Sequence, residues 1–134
     1  MKKDIDFLEV VDIGIAIVLE SETAENRNWK AYLLNFKSET ISNILVSTKG
    51  YGILNGEEVK TATFRHSLGA LAPQSYVPIE IIDESLFTIH NEFWLSFYIG
   101  DRVFDKKITF LPDTISAVNV DLIPLIMLPG VIIR

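Results

Sequence analysis

Apolar and polar residues alternate with a period of two over most of the chain, the mark of half-buried β-strands. Ile13, Ile15, Ile17 and Leu19 alternate with Asp12, Gly14, Ala16 and Val18, which predicts a strand with one clearly apolar face. The polar, acidic stretch 21–28 reads as a loop or one short helical turn. Across 29–36 apolar residues point both ways, with Trp29, Ala31 and Leu33 against Tyr32, Leu34 and Phe36, as expected of a central strand covered on both sides.

Lys37-Ser38-Glu39-Thr40 has turn chemistry, and 41–48 is a third strand. Gly50-Tyr51-Gly52 predicts a bulge or bend. Asn55-Gly56 is the clearest turn, because both central residues of a type I′ turn need positive φ. It joins 51–54 to a strand over 58–66, and 69–73 forms the next connection. Pro78 lacks an amide donor, so the strand over 76–82 belongs at an edge or a bulge. A turn at 83–85 leads to a short strand over 86–89. Phe93, Leu95, Phe97 and Ile99 share one face of the next strand, with Trp94, Ser96 and Tyr98 on the other. Gly100-Asp101 fits a hairpin turn, and 102–110 returns with Phe104, Ile108 and Phe110 inward.

Seven or eight strands spaced by turns predict an all-β fold, an antiparallel β-sandwich of immunoglobulin-like or fibronectin-like type. A closed β-barrel is the alternative. Trp29 and Trp94, on separate apolar strands, are expected in the core. The length of 134 residues fits one domain, and at 49% apolar composition there is material for a core.

The end of the chain breaks the alternation. Nine large apolar residues crowd into 122–133: Leu122, Ile123, Leu125, Ile126, Met127, Leu128, Val131, Ile132 and Ile133. The run is too short for a membrane helix and is interrupted by Pro124 and Pro129. Left in water it would be an aggregation hazard, so this C-terminal arm, 122–134, must dock. It either completes the protomer's own core or packs on a neighbouring subunit, and these nine residues are the candidate interface.

Charge narrows the partners. The formal net charge is −6, which disfavours phosphate backbones, so nucleic acid is not an expected partner, and neither is a membrane. Seven acidic groups lie within residues 1–25, against Lys2 and Lys3, and read as a solubilising face. The absence of cysteine excludes disulfides, cysteine-ligated metals and thiol catalysis, and suits a reducing compartment. The acidic residues that follow Lys3 interrupt any apolar leader, and a cytoplasmic location is expected.

Catalytic signatures do not emerge. His66 and His90, with Glu80, Asp83 or Glu92, show no metal-ligand spacing, and no nucleophile elbow, Walker loop or dinucleotide fingerprint is present. No cofactor, metal or catalytic residue is assigned. The cluster Thr61, Thr63, Arg65 and His66 places three polar side chains on one strand face. It is either a polar groove for an anion or a solvent-facing strand.

The stretch 29–110 resembles a group of short uncharacterised bacterial proteins with an immunoglobulin-like β-sandwich. The resemblance lies in Val46-Ser47-Thr48-Lys49-Gly50-Tyr51-Gly52, in Thr61-Ala62-Thr63-Phe64-Arg65-His66, and in Tyr98 through Asp105-Lys106-Lys107. Some of those proteins carry a phenylalanyl-tRNA synthetase α label. The present chain is too short for a synthetase catalytic domain and has no aminoacylation motif, so the resemblance implies no functional residues. The sequence therefore leads to an expectation of a non-enzymatic protein-interaction or assembly module, self-associating through the arm. The alternative is a small-molecule-binding domain or minor enzyme with a pocket between the sheets or at the loops around 50–52 and 66–69.

Overall fold

The structure, a computed structural model, describes residues 8–134. Lys2, Lys3, Asp4 and Asp6, part of the charge asymmetry noted above, lie outside the described residues. The strands are β1 (Ile13–Glu22), β2 (Arg27–Asn35), β3 (Ile41–Leu54), β4 (Glu57–Lys60), β5 (Phe64–Leu71), β6 (Ser75–Ile82), β7 (His90–Ile99), β8 (Arg102–Phe110), β9 (Asp121–Leu122) and β10 (Pro129–Ile133). Sheet A has the order β6-β2-β1-β10-β9. In sheet B the order is β4-β3-β7-β8, and β5 also pairs with β3. Every pairing is antiparallel, and the two sheets form a β-sandwich that does not close into a barrel. Among the described residues no helix is long and apolar enough to cross a membrane.

The inward faces of both sheets supply one core. Ile13, Ile15, Ile17, Ala31 and Leu33 of sheet A meet Ile41, Ile44, Val46, Phe93, Leu95, Phe97 and Phe110 of sheet B. Full burial of such side chains contributes roughly 1.5–3 kcal/mol each. At one end, buried Asn35 is fully satisfied. Its Nδ2 donates to the carbonyls of Glu39, Leu71 and Ala72, and its Oδ1 accepts from the Lys37 amide. One side chain thus ties the β2–β3 turn to the β5–β6 connection.

The structure departs from the sequence expectations in four places. The acidic stretch expected as a loop over 21–28 is strand at both ends, β1 running to Glu22 and β2 starting at Arg27, and only 23–26 turn, with the Thr23 amide donating to the Asn26 carbonyl. The strand expected over 58–66 is two, β4 and β5. Between them the Thr61 hydroxyl accepts the Gly50 amide at 2.7 Å, and β4 and β5 pair with successive stretches of one long β3. Residues 86–89, apolar enough for a strand, lie mostly in a 3-10 turn, Glu84–Thr88. Asp83 starts that turn by accepting the Ser85 amide at 2.8 Å, a cap that outweighs the β signal of the apolar residues. The fourth departure concerns Trp94. Trp29 is a core residue, 7% exposed and edge-on to Phe87, but Trp94 is 48% exposed on the outer face of sheet B. Its neighbours on β7, Phe93 and Leu95, take the inward positions, and period two then forces Trp94 outward.

Candidate functional site

The arm enters sheet A of its own chain. β10 pairs with β1, setting Ile15 opposite Ile133 and Ile17 opposite Val131. Val131 and Ile133 pack against the core between the sheets. The segment before them folds over the outer face of sheet A. Ile123, 1% exposed, forms a second apolar cluster there with Ala16, Val18, Tyr32 and Leu34, and Leu125, Ile126, Leu128 and Ile132 pack against it. Burial on both faces of β1 follows from this covering. Gly130 permits the close approach, since a Cβ there would meet the Ile17 carbonyl oxygen at 2.5 Å.

The remaining two arm residues point away. Leu122 is 55% and Met127 60% exposed. The loop between β9 and β10 is tightly wound: the Ile126 amide donates to the Pro124 carbonyl at 2.8 Å, and the Met127 amide to the Ile123 carbonyl at 2.7 Å. Leu125 (φ 70°) and Met127 (φ 61°) adopt the left-handed conformation. A bulky residue there carries strain on the order of 1–3 kcal/mol, which the surrounding apolar contacts must offset.

Beneath the arm, the Tyr32 hydroxyl donates to Glu20 Oε1 at 2.8 Å, and Lys30 Nζ lies 3.1 Å from the same oxygen. Burial, reinforced by that hydrogen bond, pushes the phenol up to about 12. At the arm's end the Arg134 guanidinium stacks 3.8 Å over the Phe36 ring.

The polar cluster near His66 divides. The Thr61 hydroxyl is engaged with the backbone at Gly50 and Ala62. His66 turns inward, its Nε2 2.6 Å from Glu80 Oε1, and the same oxygen accepts the Thr48 hydroxyl at 2.7 Å. Thr63 and Arg65 instead line the outer face of sheet B, beside Ser47 and Trp94. The four residues therefore do not form one groove.

That outer face is laid out by register. Arg65 of β5 pairs with Ser47 of β3, Ser47 with Trp94 of β7, and Trp94 with Lys107 of β8, a straight row across four strands. The next row runs Ser67, Leu45, Ser96, Asp105, and beyond it Tyr98 pairs with Val103. Leu45, Trp94, Tyr98 and Val103 are all exposed. Lys107 Nζ sits 5.6 Å over the Trp94 ring. Glu92 lies between Lys49 (3.6 Å) and Lys107 (4.0 Å). The Trp94 indole N–H donates to Asp105. Ser47, being small, leaves a shallow depression of about 270 Å³ between Arg65 and Trp94.

Three other concavities are found among the described residues, one of them an open depression of about 500 Å³ at the β3–β4 hairpin, lined by Tyr51, Ile53, Glu58 and Lys60 among others. An open depression of about 650 Å³ lies beside the β1–β2 hairpin. Three of its side chains are paired with one another, Arg27 gripping both carboxylate oxygens of Glu84 while the Trp29 indole donates to Glu84 Oε2 at 3.0 Å. The hydrogen bond from Arg27, then that from Trp29, hold the Glu84 carboxyl below its ordinary value. A cavity of only about 60 Å³ lies near Gly50, bordered by Thr48, Glu80 and Asn91. Among the described residues no group of three His, Asp or Glu side chains is placed to hold a metal ion.

Comparison with known proteins finds no matching family model, no matching curated protein and no matching solved structure.

Proposed function

We propose that the protein is a non-enzymatic interaction and assembly module that self-associates through the tip of the β9–β10 hairpin. The observation that supports this reading is the hairpin itself. It holds Leu125 and Met127 in a strained conformation while Leu122 and Met127 remain in water. Strain of this kind persists where a fixed shape is used, and exposed Leu and Met side chains are suited to contact with another apolar surface. The kinship with short bacterial, immunoglobulin-like proteins is part of the same proposal, supported by the local resemblance along 29–110 and the two antiparallel sheets. So is a cytoplasmic location, supported by the lack of cysteine.

A pocket-based function is the second reading. The depression beside Arg27 favours it by size. The mutual pairing of Arg27, Trp29 and Glu84 leaves those groups engaged with one another rather than convergent on a ligand.

Removing the arm would strip β10 from β1 and unfold sheet A, so the test uses exposed positions. Light scattering after size exclusion, applied to the wild type and to a Leu122→Asp, Met127→Asp double variant, separates the readings. A wild-type oligomer that becomes a folded monomer in the variant supports the proposal. A wild type that stays monomeric at every concentration, or a variant with unchanged mass, overturns it.

A further inference from the structure

We propose that the outer face of sheet B is a docking site for an acidic peptide in the polyproline-II conformation, a carboxylate being held at Arg65 while an apolar side chain three positions away lies against Trp94. This surface is on the opposite side of the sandwich from the β9–β10 hairpin, so the proposal stands apart from self-association.

The case begins with Arg65. Among the described residues no carboxylate pairs with it, nor with Arg102 at the start of β8, whereas Arg27 is clamped to Glu84 and Arg134 is stacked on Phe36. A guanidinium presents a planar fork matched to a carboxylate. The acids of the same face are already engaged, Glu92 by Lys49 and Lys107, and Asp105 by the Trp94 indole. Lys49, Arg65 and Lys107 outnumber Glu92 and Asp105, so the face carries a local excess of positive charge in a chain of net charge −6. That excess is complementary to one or two carboxylates. A nucleic-acid strand brings a charge at every phosphate, and Glu92, Asp105 and the net charge of the chain oppose it.

Spacing sets the rest. Adjacent strands lie about 4.8 Å apart, which puts the Arg65 and Trp94 columns about 10 Å apart across Ser47. A peptide in the polyproline-II conformation, with three residues per turn and about 3.1 Å of rise per residue, covers that distance in about three residues and brings positions three apart to the same side. Ser47 leaves room for the backbone, and its hydroxyl can bond to a peptide amide. Trp94, flanked by exposed Leu45, Tyr98 and Val103, then receives the apolar side chain.

The test is fluorescence polarisation with labelled peptides that carry one Glu and one Phe in a Gly/Ser background, at separations of three positions and of fewer or more. The expected result is saturable binding, tightest at a separation of three. Arg65→Ala should weaken it about tenfold or more, and Glu→Gln in the peptide equally, with no further loss when the two are combined. Ser47→Trp should abolish binding by filling the depression. Melting midpoints of the variants report that each remains folded, and Arg65→Lys stands in for any that does not. The proposal is overturned if no peptide saturates, or if Arg65→Ala binds as the wild type does. It is equally overturned if free glutamate competes as well as the peptide, if a single-stranded oligonucleotide binds more tightly than every peptide, or if Trp94→Ala changes the mass of the protein alone.

Discussion

The two outer faces of the sandwich carry similar material and meet opposite fates. On sheet A, Ala16, Val18, Tyr32 and Leu34 are roofed by the arm and become a second core. On sheet B, Leu45, Trp94, Tyr98 and Val103 have no such roof among the described residues and stand among Arg65, Lys107 and Asp105. The difference lies in residue size and charge. Sheet A offers Gly14 and Ala16 on β1, small enough for a chain segment to lie close, and Gly130 on β10 lets the backbones approach. On sheet B large aromatics alternate with cations, a surface that resists a closely packed apolar segment but suits a polar, intermittent contact. One face is therefore covered by the chain's own arm and the other is open to solvent.

Substitutions can break this comparison, the largest effects falling on the roofed face. Ile123→Ala should destabilise the fold by about 2–5 kcal/mol in chemical denaturation, the range for a buried Ile that leaves a cavity. Gly130→Ala should cost about 1–3 kcal/mol, because its Cβ meets the Ile17 carbonyl and β10 must shift. Trp94→Ala, although it deletes a far larger side chain, should change stability by less than about 1 kcal/mol, since much of the ring is already in water. If Trp94→Ala were as damaging as Ile123→Ala, the contrast between the faces would be void.

Two pH effects sharpen the picture. The Tyr32 phenol is raised to about 12, so the neutral form is favoured in the folded protein. The stability this contributes is fully present below the unfolded phenol value of about 10 and is lost as pH rises through about 12. Alkaline titration should therefore loosen the arm, and Tyr32→Phe should remove that part of the pH dependence of the melting midpoint. Glu84 moves in the opposite sense. Its folded value lies below the ordinary one, so its contribution is present above the unfolded carboxylate range and is lost as pH falls through the lower, folded value. Glu84→Gln should flatten the acid side of the melting profile, by a smaller amount because the Arg27 pair is solvent-exposed.

Much of this architecture was legible in the alternation of residues. The Asn55-Gly56 turn forms with φ of 54° and 81°, and Pro78 marks an edge strand whose pairing shifts at that point. The apolar pattern of β7 and β8 also predicts their inward faces. What escaped depends on tertiary context. The cap at Asp83 makes a 3-10 turn of residues that read as a strand, because Leu86, Phe87 and Ile89 are equally apolar in either conformation. Thr61 and His66, close in sequence to Arg65, are drawn away by Gly50 and by Glu80, partners 11 and 14 residues distant. Trp94 was expected in the core from its residue type, whereas its parity with Ser96 and Tyr98 already placed it outside. The row Arg65–Ser47–Trp94–Lys107 joins four strands, and no single stretch of sequence contains it.

The most direct test of the central claim is side-chain footprinting by hydroxyl radicals, read residue by residue by mass spectrometry on the dilute native protein. Trp94, Tyr98 and Leu45 should be modified rapidly while Tyr32, Leu34 and Ile123 stay protected until the fold is lost. Rapid modification of Tyr32 and Ile123, or protection of Trp94 equal to that of Trp29, would contradict the account of one roofed face and one bare one.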